Sequence, residues 1–197
     1  YAGAGIHPEC VNDTPDEALN EVGTLLDAPK VVAVGEIGLD YHFEDNAPRE
    51  VQREWFAKQL ALANRRGFPV IVHDRDAHGD TMELLCKYRP KGVVHCFSGS
   101  VEMMREVVRL GMYIGLGGAV TFKNARVPVE VAAAVPLDHL LLETDAPYMA
   151  PEPYRGRRNS SLYVHRMAET IAQVKGMEAE AVERITTENG KRLFGIA

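Results

Sequence analysis

Val31-Val32-Ala33-Val34-Gly35-Glu36 is an apolar run that stops on a carboxylate, and the same construction recurs along the chain. Val70-Ile71-Val72 runs into His73, Val93-Val94 into His95, Leu140-Leu141-Leu142 into Glu143, Thr144 and Asp145, and the opening segment reaches His7. Tyr113 to Leu116 closes instead on Gly117 and Gly118. Runs this short and apolar read as strands buried on both faces, and helical stretches separate them with no hairpin signal. Strand then helix, repeated, gives parallel strands joined by right-handed crossovers. Strands that finish on metal-binding residue types describe an α/β protein of the TIM (β/α)8 barrel kind, with its active site at the C-terminal rim. The sequence offers six strands, five of them ending on such residues, where a closed barrel has eight in about 250 residues. The expectation is a single partial barrel domain spanning residues 1–197, two β/α units short at its N-terminus.

Between the runs, local signals mark the helices. Thr14-Pro15-Asp16-Glu17 predicts a helix start with Thr14 as N-cap and Glu17 closing a capping box. Residues 49–66 predict a long helix that Gly67 ends in the left-handed conformation. Ser100 predicts an N-cap for a helix whose stripe is Val101, Met104, Val107 and Val108, stopped at Gly111. A shorter helix is expected over 81–88, and two more, over about 162–175 and 178–194, close the chain after a proline-rich loop.

Composition narrows the class. The net charge of −6 argues against a protein that coats nucleic acid by bulk electrostatics, so a phosphate partner must be drawn by bound cations or a local basic cluster. Three cysteines with no CxxC predict a reducing cytoplasm rather than a disulfide framework. No apolar run approaches the roughly 18 residues of a membrane span.

The chemistry gathers at the ends of the runs. Two imidazoles, His73 and His95, and two carboxylates, Glu36 and Asp145, suggest a divalent-metal hydrolase. Glu36 can offer one oxygen to each of two cations, and its flanking glycines allow close backbone approach. Asp145 can bind a metal and accept the proton of an attacking water, which makes it, with Glu36, the candidate catalytic pair. Asp40 reads as a turn residue or as the partner of a ligand, and Glu143 as an ion-pairing residue pointing away from Asp145. His7 and His42 are candidate substrate contacts, each weighed against a structural or solvated role. Arg75, Arg155, Arg157 and Arg158 are candidate phosphate forks, weighed against a solvated basic face. Ser98 and Ser100 read as helix caps, not nucleophiles.

At this point the blocks GEIGLDYH (35–42), VIVHDRDA (70–77), VVHCFSGS (93–100), LLLETDAPYMAP (140–151) and RGRRN (155–159) can be taken together. In that order, with GIHP (5–8) and TTENGKRLFGI (186–196), they resemble the TatD family of metal-dependent deoxyribonucleases in the amidohydrolase superfamily. The resemblance implies two divalent metal ions, Mg2+, Mn2+ or Zn2+, with Glu36 bridging both, His73 and His95 on one and Asp145 on the other. It implies hydrolysis of DNA phosphodiester bonds by metal-activated water. Two departures stand out: the family's opening HxH pair is absent, and Ser160-Ser161 replaces an acidic or amide residue followed by Pro. The first leads to the expectation that one cation is under-coordinated. The residue chemistry alone equally serves hydrolysis of amides, lactones or phosphotriesters. An inactive fragment, or a subunit that needs the HxH strand from elsewhere, is the alternative of a different class.

Overall fold

In the computed structural model, which describes residues 1–197, six strands form: Ala2–Ala4 (β1), Val31–Asp40 (β2), Val70–Arg75 (β3), Gly92–Val94 (β4), Tyr113–Leu116 (β5) and Leu140–Leu142 (β6). The helices are Ala18–Leu25 (α1), Arg49–Arg66 (α2), His78–Tyr88 (α3), Val101–Arg109 (α4), Arg126–Ala134 (α5), Val164–Lys175 (α6) and Ala179–Phe194 (α7). Two compact units hold them: Tyr1–Val94 with Leu193–Ala197, and His95–Arg192. No helix is long and apolar enough to cross a membrane.

In the first unit β1, β2, β3 and β4 pair in parallel in that order. β2 is the surprise. The sequence suggested a strand ending at Val34, but it continues to Asp40 through a bulge: Val34 pairs with Val70 and Ile37 with Val72, three steps against two. The extra residue disrupts the alternation by which a strand is read, so Val34 and Ile37, an odd number apart, are both fully buried. Glycine permits the close pairing. A Cβ on Gly35 would lie 2.6 Å from Ile71 Cβ, and one on Gly38, at φ 149°, would lie 1.9 Å from the His73 carbonyl oxygen. For the same reason of continued pairing, His73 lies within β3, not at its end.

α2 covers this sheet with Phe56, Leu60 and Ala63, none of them exposed, and stops at Gly67 with φ 72° as its sequence predicts. Two helix starts differ from expectation. α1 begins at Ala18, because the Thr14 hydroxyl donates to the Cys10 carbonyl (2.6 Å) instead of capping the helix. α3 begins three residues before Thr81, where the Asp74 carboxylate meets both His78 Nδ1 (2.7 Å) and the Thr81 hydroxyl (3.2 Å).

In the second unit β5 and β6 pair in parallel, Ile114 opposite Leu140 and Leu116 opposite Leu142. Met104, Ile114, Leu140, Met167 and Ile171 are fully buried around them. Ser100 caps α4, its hydroxyl accepting the Met103 N–H at 3.3 Å. α5 is a helix the sequence did not announce; its Pro128 sits in the first turn, where no N–H is required. Lys175, at the end of α6, closes α5 by donating to the Val135 and Ala133 carbonyls at 2.7 and 3.3 Å.

Candidate functional site

The first unit builds its site on α2. Gln52 and Gln59, both 1% exposed, stand seven residues apart on one helix face, and each amide grips a backbone segment from both sides. Gln59 accepts the Ile6 N–H (2.7 Å) and donates to the Ile6 carbonyl (3.0 Å), fixing the chain just before His7. Gln52 accepts the Asp40 N–H (2.8 Å) and donates to the Asp40 carbonyl (2.9 Å). Neither glutamine was singled out from sequence, although an amide on an otherwise apolar stripe is itself a signal, since a core position tolerates one only with partners.

Around these anchors His7, Glu36 and His73 each bring a ligand atom within 4.8 Å of the others'. His7 Nε2 is 3.8 Å from Glu36 Oε2, and its ring meets that of His73 edge-on at 4.5 Å. The bulge leaves the Glu36 side chain 41% exposed beside fully buried Ile37. Asp40, with no exposed side-chain surface, accepts from His73 Nε2 (2.9 Å), the His42 N–H (3.0 Å) and Asn46 Nδ2 (3.2 Å). A carboxylate at Nε2 holds the imidazole proton there and places the lone pair on Nδ1, the arrangement that a metal-binding histidine requires. Both sequence readings of Asp40 have a contact here: the His42 N–H is that of a turn residue, and the His73 ring is a candidate ligand held from behind.

Two further candidates lie beside this cluster in contacts of their own. His42 Nδ1 is 2.8 Å from Asp76 Oδ2, and the Arg75 guanidinium lies over the Phe43 ring at 4.8 Å. Tyr41 donates to Asp80 (2.7 Å), which also pairs with Arg53 (2.7 Å). Burial, then the hydrogen bond and charge of Asp80, push the Tyr41 phenol well above its usual range.

The second unit holds His95, Cys96 and Glu143, whose ligand atoms again lie within 4.8 Å of one another. β6 ends at Leu142, so strand alternation no longer sets the direction of Glu143, and it does not behave as a surface ion pair. Its carboxylate accepts the Cys96 N–H and stands 3.9 Å from His95 Nδ1. Burial pushes this carboxyl up, with the Asp145 charge adding to the rise and His95 opposing it. Asp145 follows in a left-handed conformation, φ 51°.

Asn159, 5% exposed, ties this loop down. Its side-chain amide donates to the Thr144 and Tyr148 carbonyls, and its N–H donates to that of Pro147 at 2.9 Å. The arginines before it diverge in role: Arg155 lies over the Phe122 ring at 4.2 Å, and all three of Arg155, Arg157 and Arg158 are exposed.

Imidazole nitrogen with carboxylate oxygen is a donor set suited to Zn2+, Mn2+ and related ions, and the Asp40 contact on His73 is what such a set requires behind it. By donor chemistry these residues fit a divalent cation.

Known proteins are similar to this chain along its whole length. A family model described as TatD related DNase matches residues 1–195. The uncharacterized metal-dependent hydrolase YabD of Bacillus subtilis (strain 168) is 46% identical over 199 residues, spanning 100% of this chain and 78% of that protein. The 3'-5' ssDNA/RNA exonuclease TatD of Klebsiella pneumoniae (strain 342) is 36% identical over 204 residues, spanning 100% of this chain and 77% of that one. Among solved structures, YJJV, a TatD homologue from Escherichia coli K12, superposes with a TM-score of 0.93 at 35% identity, over 100% of this chain and 77% of its own. The α/β fold of the TIM-barrel type, expected from the strand pattern, and the amidohydrolase type, implied by the resemblance, are the fold of these neighbours.

Proposed function

The chain belongs to the TatD-related DNase family, and from that premise we propose that it is a divalent-metal-dependent hydrolase of DNA phosphodiester bonds. One observation carries the reading: His7, Glu36 and His73 converge within 4.8 Å, with buried Asp40 holding His73 from behind. The name of the Klebsiella relative, a single-stranded DNA and RNA exonuclease, favours nucleic acid over the amides and lactones that the same ligand types can serve.

In this reading Glu36, His73, His95 and Asp145 are the ligands of two divalent cations. When bound, such cations polarise a phosphoryl oxygen and make water a better nucleophile. The chain's own groups do the rest. Asp145 takes the proton of the attacking water on a carboxylate oxygen. His7, its Nε2 3.8 Å from Glu36 Oε2, stands where a phosphoryl oxygen of the substrate would meet the cation site. Arg155, Arg157 and Arg158, with Arg75 and His42, hold flanking phosphates and limit how the strand slides.

The test is hydrolysis of an end-labelled single-stranded oligonucleotide with Mg2+, Mn2+ or Zn2+, by the wild-type protein and by Glu36→Gln. Gln offers one neutral oxygen in place of two charged ones, so turnover should fall at least about 100-fold while the circular dichroism spectrum is retained. Near-normal turnover in the variant would remove Glu36 from the ligand set.

A further inference from the structure

We infer that Glu143 is a positioning residue that holds the His95 imidazole in the tautomer with its proton on Nδ1, so that the Nε2 lone pair is presented to a cation. The inference rests on the proposal that His95 is a ligand and adds a residue to it.

Three observations support it. First, the carboxylate is anchored: one oxygen accepts the Cys96 N–H, and Cys96 takes a left-handed conformation, φ 43°, in the residue directly after His95. A non-glycine residue in that region is held there by its surroundings. Second, the space it occupies is cleared for it. A Cβ on Gly115, within β5, would lie 2.8 Å from Glu143 Oε2, closer than a side chain tolerates, while one on Gly117, directly after β5, would meet Oε1 in ordinary contact at 3.6 Å. Third, the remaining oxygen faces the right atom, His95 Nδ1 at 3.9 Å, where a closure of about 1 Å makes a hydrogen bond of the kind that tightens when a site is occupied.

Neutral imidazole has one N–H and one lone pair, so an acceptor fixed on Nδ1 decides which nitrogen can bind a metal. Asp40 applies the same logic to His73 from the opposite nitrogen, at 2.9 Å from Nε2. The two histidines are therefore held in opposite tautomers, His73 presenting Nδ1 and His95 presenting Nε2. A surface ion pair would need neither the anchored oxygen nor the space left at Gly115.

Long-range proton–nitrogen NMR of the histidine rings in the metal-free protein reads the tautomer directly. In wild type the His95 Nδ1 should carry the proton. In Glu143→Gln, whose amide can turn an N–H toward Nδ1, that preference should be lost, and Mn2+ affinity measured by chelator competition should fall about 10- to 100-fold. A deprotonated Nδ1 in wild type overturns the inference alone and needs no variant to fold. An unchanged His95 tautomer in Glu143→Gln does the same. His95→Ala binding Mn2+ as tightly as wild type would overturn the ligand reading, and the inference with it.

Discussion

Asp40 is the side chain whose loss should cost the first unit most. Its carboxylate, without exposed surface, accepts three hydrogen bonds: from His73 Nε2 at 2.9 Å, from the His42 N–H at 3.0 Å and from Asn46 Nδ2 at 3.2 Å. Asp40→Ala strands all three donors. A buried group left unsatisfied costs roughly 1–3 kcal/mol, and two of these donors can turn partly toward water, so a total of about 3–5 kcal/mol is expected. In a chain of this size 1 kcal/mol moves the midpoint by about 2–4 °C, which gives a fall of about 6–20 °C in a thermal melt. Asp40→Asn separates stability from ligand orientation. The amide oxygen still accepts, so the melt should change much less than for Ala. The amide nitrogen, however, can face His73 Nε2 and favour the wrong tautomer, so Mn2+ affinity should fall about 10- to 100-fold. Melting curves and chelator competition on the two variants read the two effects separately. If Asp40→Ala melts within a degree or two of wild type, the three contacts are not worth what their burial implies. If Asp40→Asn binds Mn2+ normally, His73 is not oriented from Asp40.

Three other outcomes follow from the geometry. Asn159→Ala removes the amide bonds to the Thr144 and Tyr148 carbonyls, and should lower hydrolysis through disorder of the Asp145 loop more than it lowers the melting temperature; equal activity would mean the loop holds itself. Replacing Arg155, Arg157 and Arg158 with Ala should weaken oligonucleotide binding and flatten its salt dependence by about 0.7 logarithmic units per lost phosphate contact, and an unchanged slope would return them to the solvated face. The Tyr41 hydrogen bond, then Arg53, hold the Asp80 carboxyl below its usual range, so this group stays ionised in the fold when the unfolded chain takes up a proton. Its contribution is present above the ordinary carboxylate pKa and lost as pH falls through the lower folded value. Tyr41→Phe should therefore destabilise at neutral pH, with the difference from wild type shrinking in acid, and a pH-independent difference would refute the linkage.

The sequence made the α2 boundaries, the β5 boundaries and the parallel alternation legible, because each rests on local rules: a long apolar stripe closed by Gly67, a short run closed by Gly117, and no hairpin turn. What escaped depended on partners distant in the chain. β2 looked finished at Val34 because a bulge hides the continuation, and only the pairing with β3 shows it. α5 escaped because Val127, Val129 and Val131 alternate as a strand would, while packing against the rest of its unit makes it a helix. The candidate ligands were visible as residue types at the ends of runs. Their supports were not: Gln52 and Gln59 read as ordinary helix residues, Glu143 as a strand residue pointing elsewhere, and Asn159 as the last letter of a basic motif.

The pair of glutamines in α2 makes that helix a measuring rod. Seven residues advance about 10.5 Å along the axis and return to nearly the same azimuth, which is why one face can reach both Ile6 and Asp40. One residue inserted or deleted between positions 52 and 59 would turn the far glutamine by about 100° and shift it by about 1.5 Å, so that only one grip could survive. Surface loops can lengthen or shorten at small cost. This stretch of helix cannot, and the spacing between the backbone that carries His7 and the carboxylate that holds His73 is written into its count of residues.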